Sequence, residues 1–212
     1  TIQPFVPSAD PDAPFQPIPQ SVIEKGALSR DSIEKMDNSL FFVADDRIVY
    51  RIEGYSPARI SDYAIEEVLS NLTEAQTEEL SAWAYAEDGH TFYILDIPGH
   101  GTFGFDVSTG LWHERQSWGE TLFEVIVCDR MFGKNLVGSR VDGNVYELTK
   151  SAHSYRGDII LRKASAGVPV LDGRPEVFSI SIDLTPGVGL SIGQGSDPEM
   201  MLRYSDNLGR TW

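Results

Sequence analysis

Apolar positions in this chain alternate in short runs, and the runs are broken by Gly, Asp and Pro. Alternation at a period of two marks a half-buried strand, whereas a helix returns its apolar face every three to four residues. From Ser39 onward, SLFFVADD and RIVYRIEG read as two strands split by a turn at Asp45 and Asp46, with Ile48, Tyr50 and Ile52 facing one side. A short helix is predicted over Tyr63 to Leu69, because Ile65, Val68 and Leu69 share one helical face behind the possible N-caps Ser61 and Asp62. Thr73 and Gln76 have the spacing of a capping box.

The clearest pattern spans Leu80 to Ser117. LSAWAYAEDGH, HTFYILDIPG, GTFGFDVSTG and LWHERQS are four strand-like pieces separated by Asp88-Gly89, Pro98-Gly99 and Thr109-Gly110, a spacing that suits one four-stranded propeller blade. A second unit begins at Phe123, where FEVIVCD, KNLVGSRV, NVYELT and DIILRKA repeat the scheme with Asp142-Gly143 as its best turn. The two units share a layout without sharing a sequence. After Ala166, RPEVFSISIDLTPGVGLS and PEMMLRYSDNLGRTW predict longer strands joined by a Gly-rich connection. At the other end, six prolines among residues 1 to 20 predict an extended arm. The expected organisation is therefore a Pro-rich arm over 1–38, propeller blades over 39–166 and a further β unit over 167–212. The fold class is all-β, a partial β-propeller of two or more four-stranded blades with a short helical insert and a C-terminal β unit.

The last eight residues, SDNLGRTW, have the spacing S-x-D-x-G-x-T-W with Asn207 in the Asp place, which resembles the Asp-box turn of sialidases and other propellers. In such a turn Ser205 and Asn207 bond the local backbone, and Thr211 belongs to the same motif. Gly209 supplies a left-handed position, and Trp212 places a large ring on a following strand. No strand follows Trp212 here, so the expectation is a piece of a longer polypeptide.

Composition narrows the function classes. With 212 residues and 41% hydrophobic content the chain can bury a substantial core. No apolar run approaches the roughly 18 residues of a spanning helix, so no membrane partner is expected. The single cysteine, Cys128, lies in the apolar run FEVIVCDRMF and reads as a small buried hydrophobe. Net charge is -15 and is uneven: residues 1 to 110 hold 19 acidic against 6 basic side chains, residues 111 to 212 hold 13 against 11. Between Arg59 and Arg115 there is no Lys or Arg, which argues against a nucleic-acid groove, because phosphate binding releases counterions only where cations replace them.

Candidate chemistry is thin. GVGLSIGQGS, from Gly187 to Ser196, lacks the Lys-Ser or Lys-Thr of a phosphate loop and sits between strand-like runs. Neither His90, His100, His113 nor His153 has the close pairing of a zinc site. Arg203, Arg210, Tyr204 and Glu199 are the residue types a sialidase needs, yet strand alternation divides them over opposite faces. The Asn71-Leu72-Thr73 triplet matches a glycosylation sequon, and it reads as a chance match. No catalytic, metal or cofactor residue is assigned.

The stretch Glu87 to Trp118, EDGHTFYILDIPGHGTFGFDVSTGLWHERQSW, resembles phage proteins with a GH-x-F-Y-x-L…YD-x-x-T-G-x-WHE-x-x-S pattern. Arg47 to Leu69 matches the blade and short helix that precede it, Asp142 to Leu148 the following blade, and SDNLGRTW the late turn. The family is that of the tail hub, or packaged-DNA stabilisation, proteins of short-tailed phages, similar to the P22 tail accessory protein. Its motif falls on Gly89, His90, Phe92, Tyr93, Asp106, Gly110, Trp112, His113 and Glu114, with Phe105 replacing the Tyr of the pattern. The resemblance implies a non-enzymatic virion protein of the tail hub that closes the portal vertex and stabilises packaged DNA. Implied partners are a portal or adaptor protein, distal tail proteins and further copies in a cyclic ring. No sequence-specific nucleic-acid contact is implied. The alternatives are a propeller that binds a glycan or a host-surface protein, which predicts exposed aromatics such as Trp83 or Trp118, and a sialidase-like glycosidase.

Overall fold

The structure is a computed structural model, and it describes residues 1–152, 154–167, 178–182, 192, 196, 200–205, 207 and 210–212. The chain divides into two units, Thr1–Lys150 and Ser151–Trp212.

The first unit opens with a hairpin, β1 (Phe5–Pro7) and β2 (Phe15–Pro17), whose register places Phe5 opposite Pro17 and Pro7 opposite Phe15. Three antiparallel meanders follow. The first sheet orders β3 (Glu34–Met36), β4 (Ser39–Val43), β5 (Val49–Glu53) and β6 (Ser56–Arg59); the second orders β7 (Ser81–Glu87), β8 (His90–Ile97), β9 (Gly101–Asp106) and β10 (Leu111–Arg115). The third has β11 (Val125–Met131), β12 (Lys134–Ser139) and β13 (Val145–Leu148). Two helices, α1 (Tyr63–Ser70) and α2 (Glu74–Glu78), link the first sheet to the second.

Local chemistry sets these elements. Asp88 and Gly89 both have positive φ, so Glu87 faces His90 across a two-residue turn whose twist matches the strands. For α1 the cap is Asp62, whose Oδ1 accepts from the Ile65 N–H at 3.0 Å, while Ser61 is used elsewhere, accepting from the Val49 N–H at 3.1 Å. Thr73 and Gln76 form the reciprocal capping box of α2. The C-terminal carbonyls of α1 and its following turn are gathered by Arg47, whose Nη1 donates to Leu69 O at 2.7 Å, Ser70 O at 3.2 Å and Leu72 O at 2.9 Å. A cation at that end complements the helix dipole.

The three sheets stack. Phe41, Val43 and Val49 from the first sheet meet Ala82, Tyr93, Leu95 and Phe105 of the second, with Ile65 and Leu69 of α1 in the same core. The opposite side of the first sheet packs Phe42, Ala44 and Tyr50 against Ile2, Ile48 and Ile52. β4 is therefore buried on both faces, and each such apolar side chain contributes about 1.5–3 kcal/mol. The other face of the second sheet meets the third: Trp83 stacks on Phe123 with centroids 6.4 Å apart, and Asn135 Nδ2 donates to Ala86 O at 3.0 Å.

Several expectations change. The arm expected over residues 1–38 is partly sheet, since the boundary at 38 falls in the turn between β3 and β4. Glu34-Lys35-Met36 buries only Met36 and gave no alternation to read. DIILRKA is not a fourth strand of the third sheet. Arg156 and Gly157 both take positive φ and fold β15 (Asp158–Ile159) back on β14 (Ser154–Tyr155) in the second unit. Among the described residues expected in later strands, 178–182 and 200–205 are not in strands. Their apolar side chains, Phe178 and Met201 among them, are exposed, and an alternating run forms a ladder only where a second strand receives it. Residues 168–177, 183–191, 193–195, 197–199, 206 and 208–209 of the expected C-terminal β unit lie outside the described residues.

Candidate functional site

The motif residues lie in the second sheet, and pairing assigns each to a face. Phe105 stands opposite Tyr93 and Trp112, which puts these three on the side of the first sheet. His90, Phe92, Asp106 and His113 occupy the other side, with Trp83 and Tyr85.

On the first face, each polar tip of a buried aromatic reaches a backbone carbonyl across the seam. Tyr93 is fully buried and its hydroxyl donates to Ser32 O at 2.7 Å; Trp112 Nε1 donates to Ile60 O at 2.8 Å. Ser29 Oγ adds a bond to Leu80 O at 2.8 Å. Burial raises the Tyr93 phenol far above its ordinary range, so the ring remains a neutral donor. These bonds key the second sheet onto the first.

On the second face Asp106 organises the outer turns. Its carboxylate takes a hydrogen bond with His90 Nδ1 at 2.8 Å, one from the Ser108 N–H at 2.9 Å and one from Thr109 Oγ1 at 3.0 Å. Burial pushes the acid up, and these donors outweigh it and hold it below its usual value. Gly110, at φ +70°, completes the turn by donating its N–H to Asp106 O at 2.8 Å. Asp106, Thr109 and Gly110 are thus a turn signature with a carboxylate at its centre, the side-chain equivalent of a closed loop.

His113 packs against Gly104, where an added Cβ would stand 2.6 Å from the imidazole Cε1 and Nε2. Its ring meets Phe92 edge-on at 5.9 Å, and Arg115 Nε donates to His113 Nε2 at 2.9 Å. Burial first, and then the Arg115 charge, lower its pKa to about 4, so the ring is a neutral acceptor protonated on Nδ1. Arg115 also lies over the Tyr85 and Phe92 rings, at 5.1 and 5.2 Å. Glu114 is exposed.

Sequence reasoning missed Gly104, Arg115, Thr109 and Ser108 as partners of the motif, although D-V-S-T-G was legible as a side-chain-closed turn. It also missed a polar clasp at the seam with the third sheet. Buried Asp96 pairs with Arg140 and accepts from Thr102 Oγ1, and that same oxygen accepts the Phe123 N–H at 3.0 Å. Trp83, which the glycan- or host-binding alternative predicts to be exposed, is 1% exposed because it fills this seam; Trp118 is exposed. Cys128 is half-buried, and burial pushes its thiol up to about 11, far from a reactive thiolate.

In the second unit the terminal turn is built around one amide. Asn207 Oδ1 accepts from the Thr211 N–H at 2.9 Å, Asn207 Nδ2 donates to Thr211 Oγ1 at 2.6 Å, and Ser205 Oγ donates to Asn207 Oδ1 at 2.9 Å. Trp212 is exposed. Gly209, Glu199 and His153 lie outside the described residues.

Among the described residues no group of three or more His, Cys, Asp or Glu is placed to hold a metal ion, and no helix is long and apolar enough to cross a membrane. Tyr93, Phe92, Trp112 and His113 of the motif pack in the faces of the second sheet and Asp106 closes its outer turn, while Glu114 is exposed. No curated protein matches the chain. Over residues 1–153 it matches the family model described as Phage_stabilise, Bacteriophage P22 Gp10, beta-propeller, and it belongs to that family of phage structural proteins.

Proposed function

We propose that this chain is a virion component of the tail hub that closes the portal vertex after packaging and stabilises the packaged DNA, without a catalytic step or cofactor. The observation that carries the reading is the family match over residues 1–153, with Tyr93 and Trp112 of the motif bonded across the seam between sheets and His90 and Asp106 holding a turn. Its partners are a portal or adaptor protein and distal tail proteins, and its own copies form a cyclic ring. The charge distribution supports the role: residues 1 to 110 carry 19 acidic and 6 basic side chains, so a ring of such subunits repels the DNA it must retain. Cyclic copies also multiply a modest single contact into a durable one.

The experiment is to assemble particles without this protein and measure retained DNA and tail attachment. Empty or tailless particles are expected, restored by adding the protein back. Particles that keep full DNA content and a complete tail would remove the proposal.

A further inference from the structure

Among the described residues, Arg115 is the half-buried arginine of the first unit whose charge meets neither a carboxylate nor a carbonyl. Arg30, Arg51, Arg59 and Arg140 each pair with an acid, Arg47 is spent on three backbone carbonyls, and Arg130 is exposed. The Arg115 guanidinium lies over the Tyr85 and Phe92 rings and spends two of its five N–H groups: Nε donates to His113 Nε2 at 2.9 Å, and Nη2 donates to the Tyr85 hydroxyl. Three N–H groups are left without an acceptor among the described residues, in a chain of net charge -15.

Its neighbours sharpen the imbalance. Arginine has no lone pair to offer, so His113 Nε2 accepts and the ring keeps its proton on Nδ1, a further donor. The Tyr85 oxygen likewise accepts from Arg115, and its own proton has no acceptor among the described residues. Burial holds that phenol above its ordinary range, so the proton stays. The acids on this face of the second sheet are engaged elsewhere. Asp96 pairs with Arg140 and accepts from Thr102, Asp106 holds His90 and its own turn, and Glu87 faces His90 across the β7–β8 turn without a bond to the guanidinium. One place on the sheet therefore gathers a positive charge and several donors, steadied by the stacked Tyr85 and Phe92 rings, 4.8 Å apart. A part-buried donor without an acceptor costs free energy, and an anion supplies what this set lacks.

We propose that Arg115 and Tyr85 form a binding site for a small oxyanion, gripped by the free N–H groups of the guanidinium and capped by the Tyr85 hydroxyl. The site is independent of the assembly role. Its ligand class follows from the donors: the guanidinium fork matches two oxygens of a carboxylate or of a phosphate, and a neutral acceptor leaves the charge without a counter-charge. Arg115 and His113 are only half-buried, so solvent ions have access to the edge of the fork.

The test is titration of the full chain, labelled with nitrogen-15, with inorganic phosphate and separately with acetate, each replacing chloride at constant ionic strength. Phosphate is expected to shift the Arg115 Nε–H resonance saturably, with a dissociation constant on the order of 1–10 mM, as two or three charge-assisted hydrogen bonds supply, and to leave that of exposed Arg130 in place. Tyr85→Phe keeps the ring and removes only the third donor, and should weaken binding roughly threefold to tenfold on the same resonance. Arg115→Lys keeps the charge without the fork, and should lose most of the rise in melting temperature that phosphate gives the wild type. Near-UV circular dichroism checks that both variants fold; if Arg115→Lys does not, the wild-type and Tyr85→Phe titrations decide. Saturable binding of phosphate supports the site, and tighter binding of acetate supports it with a carboxylate as the natural ligand. An Arg115 resonance that shifts without saturation, or no more than that of Arg130, overturns the proposal, as does a Tyr85→Phe chain that binds as tightly as the wild type.

Discussion

Gly104→Ala isolates the packing that the motif histidine enforces. Gly104 does not have positive φ, so alanine fits the backbone and the penalty is steric. The new methyl would sit 2.6 Å from His113 Cε1 and Nε2 and 2.9 Å from Ile94 Cδ1, so the imidazole must move by about 1 Å to reach ordinary contact. It has little room, because Phe92 meets its side and Arg115 Nε bonds Nε2 at 2.9 Å. Overpacking of this kind costs about 1–3 kcal/mol, and loss of the Arg115 bond adds about 1, for an expected destabilisation of about 2–4 kcal/mol. His113→Ala alone loses packing, but in that background Gly104→Ala should cost far less, because only the contact with the flexible end of Ile94 remains. The coupling in the double-mutant cycle should therefore be about 2 kcal/mol or more in the sense of relief. Urea denaturation followed by tryptophan fluorescence reads it, since Trp112 lies in the same sheet. A Gly104→Ala cost below about 0.5 kcal/mol, or additive effects in the cycle, would refute the packing argument.

Other perturbations probe the seams and the helix. Trp83 Nε1 is buried without a hydrogen-bond partner among the described residues, so Trp83→Phe removes an unpaired donor along with some packing and is expected to cost about 1 kcal/mol or less, against about 3–5 for Trp83→Ala; equal costs in urea melts would contradict this. Arg47→Ala should destabilise by about 1–3 kcal/mol and speed amide exchange in α1, because three carbonyls lose their donor; unchanged exchange would count against the cap. Stability should also fall with pH through His113: its folded pKa of about 4 lies below the ordinary value of about 6.5, so the unfolded chain gains the proton first. The contribution is whole above about pH 6.5, is lost as pH falls toward about 4, and for a half-buried ring amounts to about 1–2 kcal/mol. His113→Gln should flatten this dependence in melts at the two ends of the window, and an unaltered slope would refute the assignment.

Punctuation made the second sheet legible. Asp88-Gly89, Pro98-Gly99 and Thr109-Gly110 bound strands whose alternation is strong, and α1 and the capping box of α2 were visible for the same local reasons. What escaped depends on distant partners. The β1–β2 hairpin is full of prolines, which read as an arm because the pairing of Phe5 with Pro17 has no local signal. β3 has a single buried side chain and exists because β4 receives it. The motif was recognisable as a string, yet its role was not. Tyr93 and Trp112 reach carbonyls at Ser32 and Ile60, and a carbonyl carries no sequence signature. That Trp83 is buried, against what the glycan- or host-binding alternative predicts, was hidden for the same reason, since the sheet that covers it begins some forty residues later.

The most direct test of the central claim is to label intact virus particles with antibody raised against this chain and view them in the electron microscope. A tail-hub protein should be labelled at one head vertex, where the tail attaches. Particles without label, with the protein recovered free from the lysate, would contradict a place in the virion.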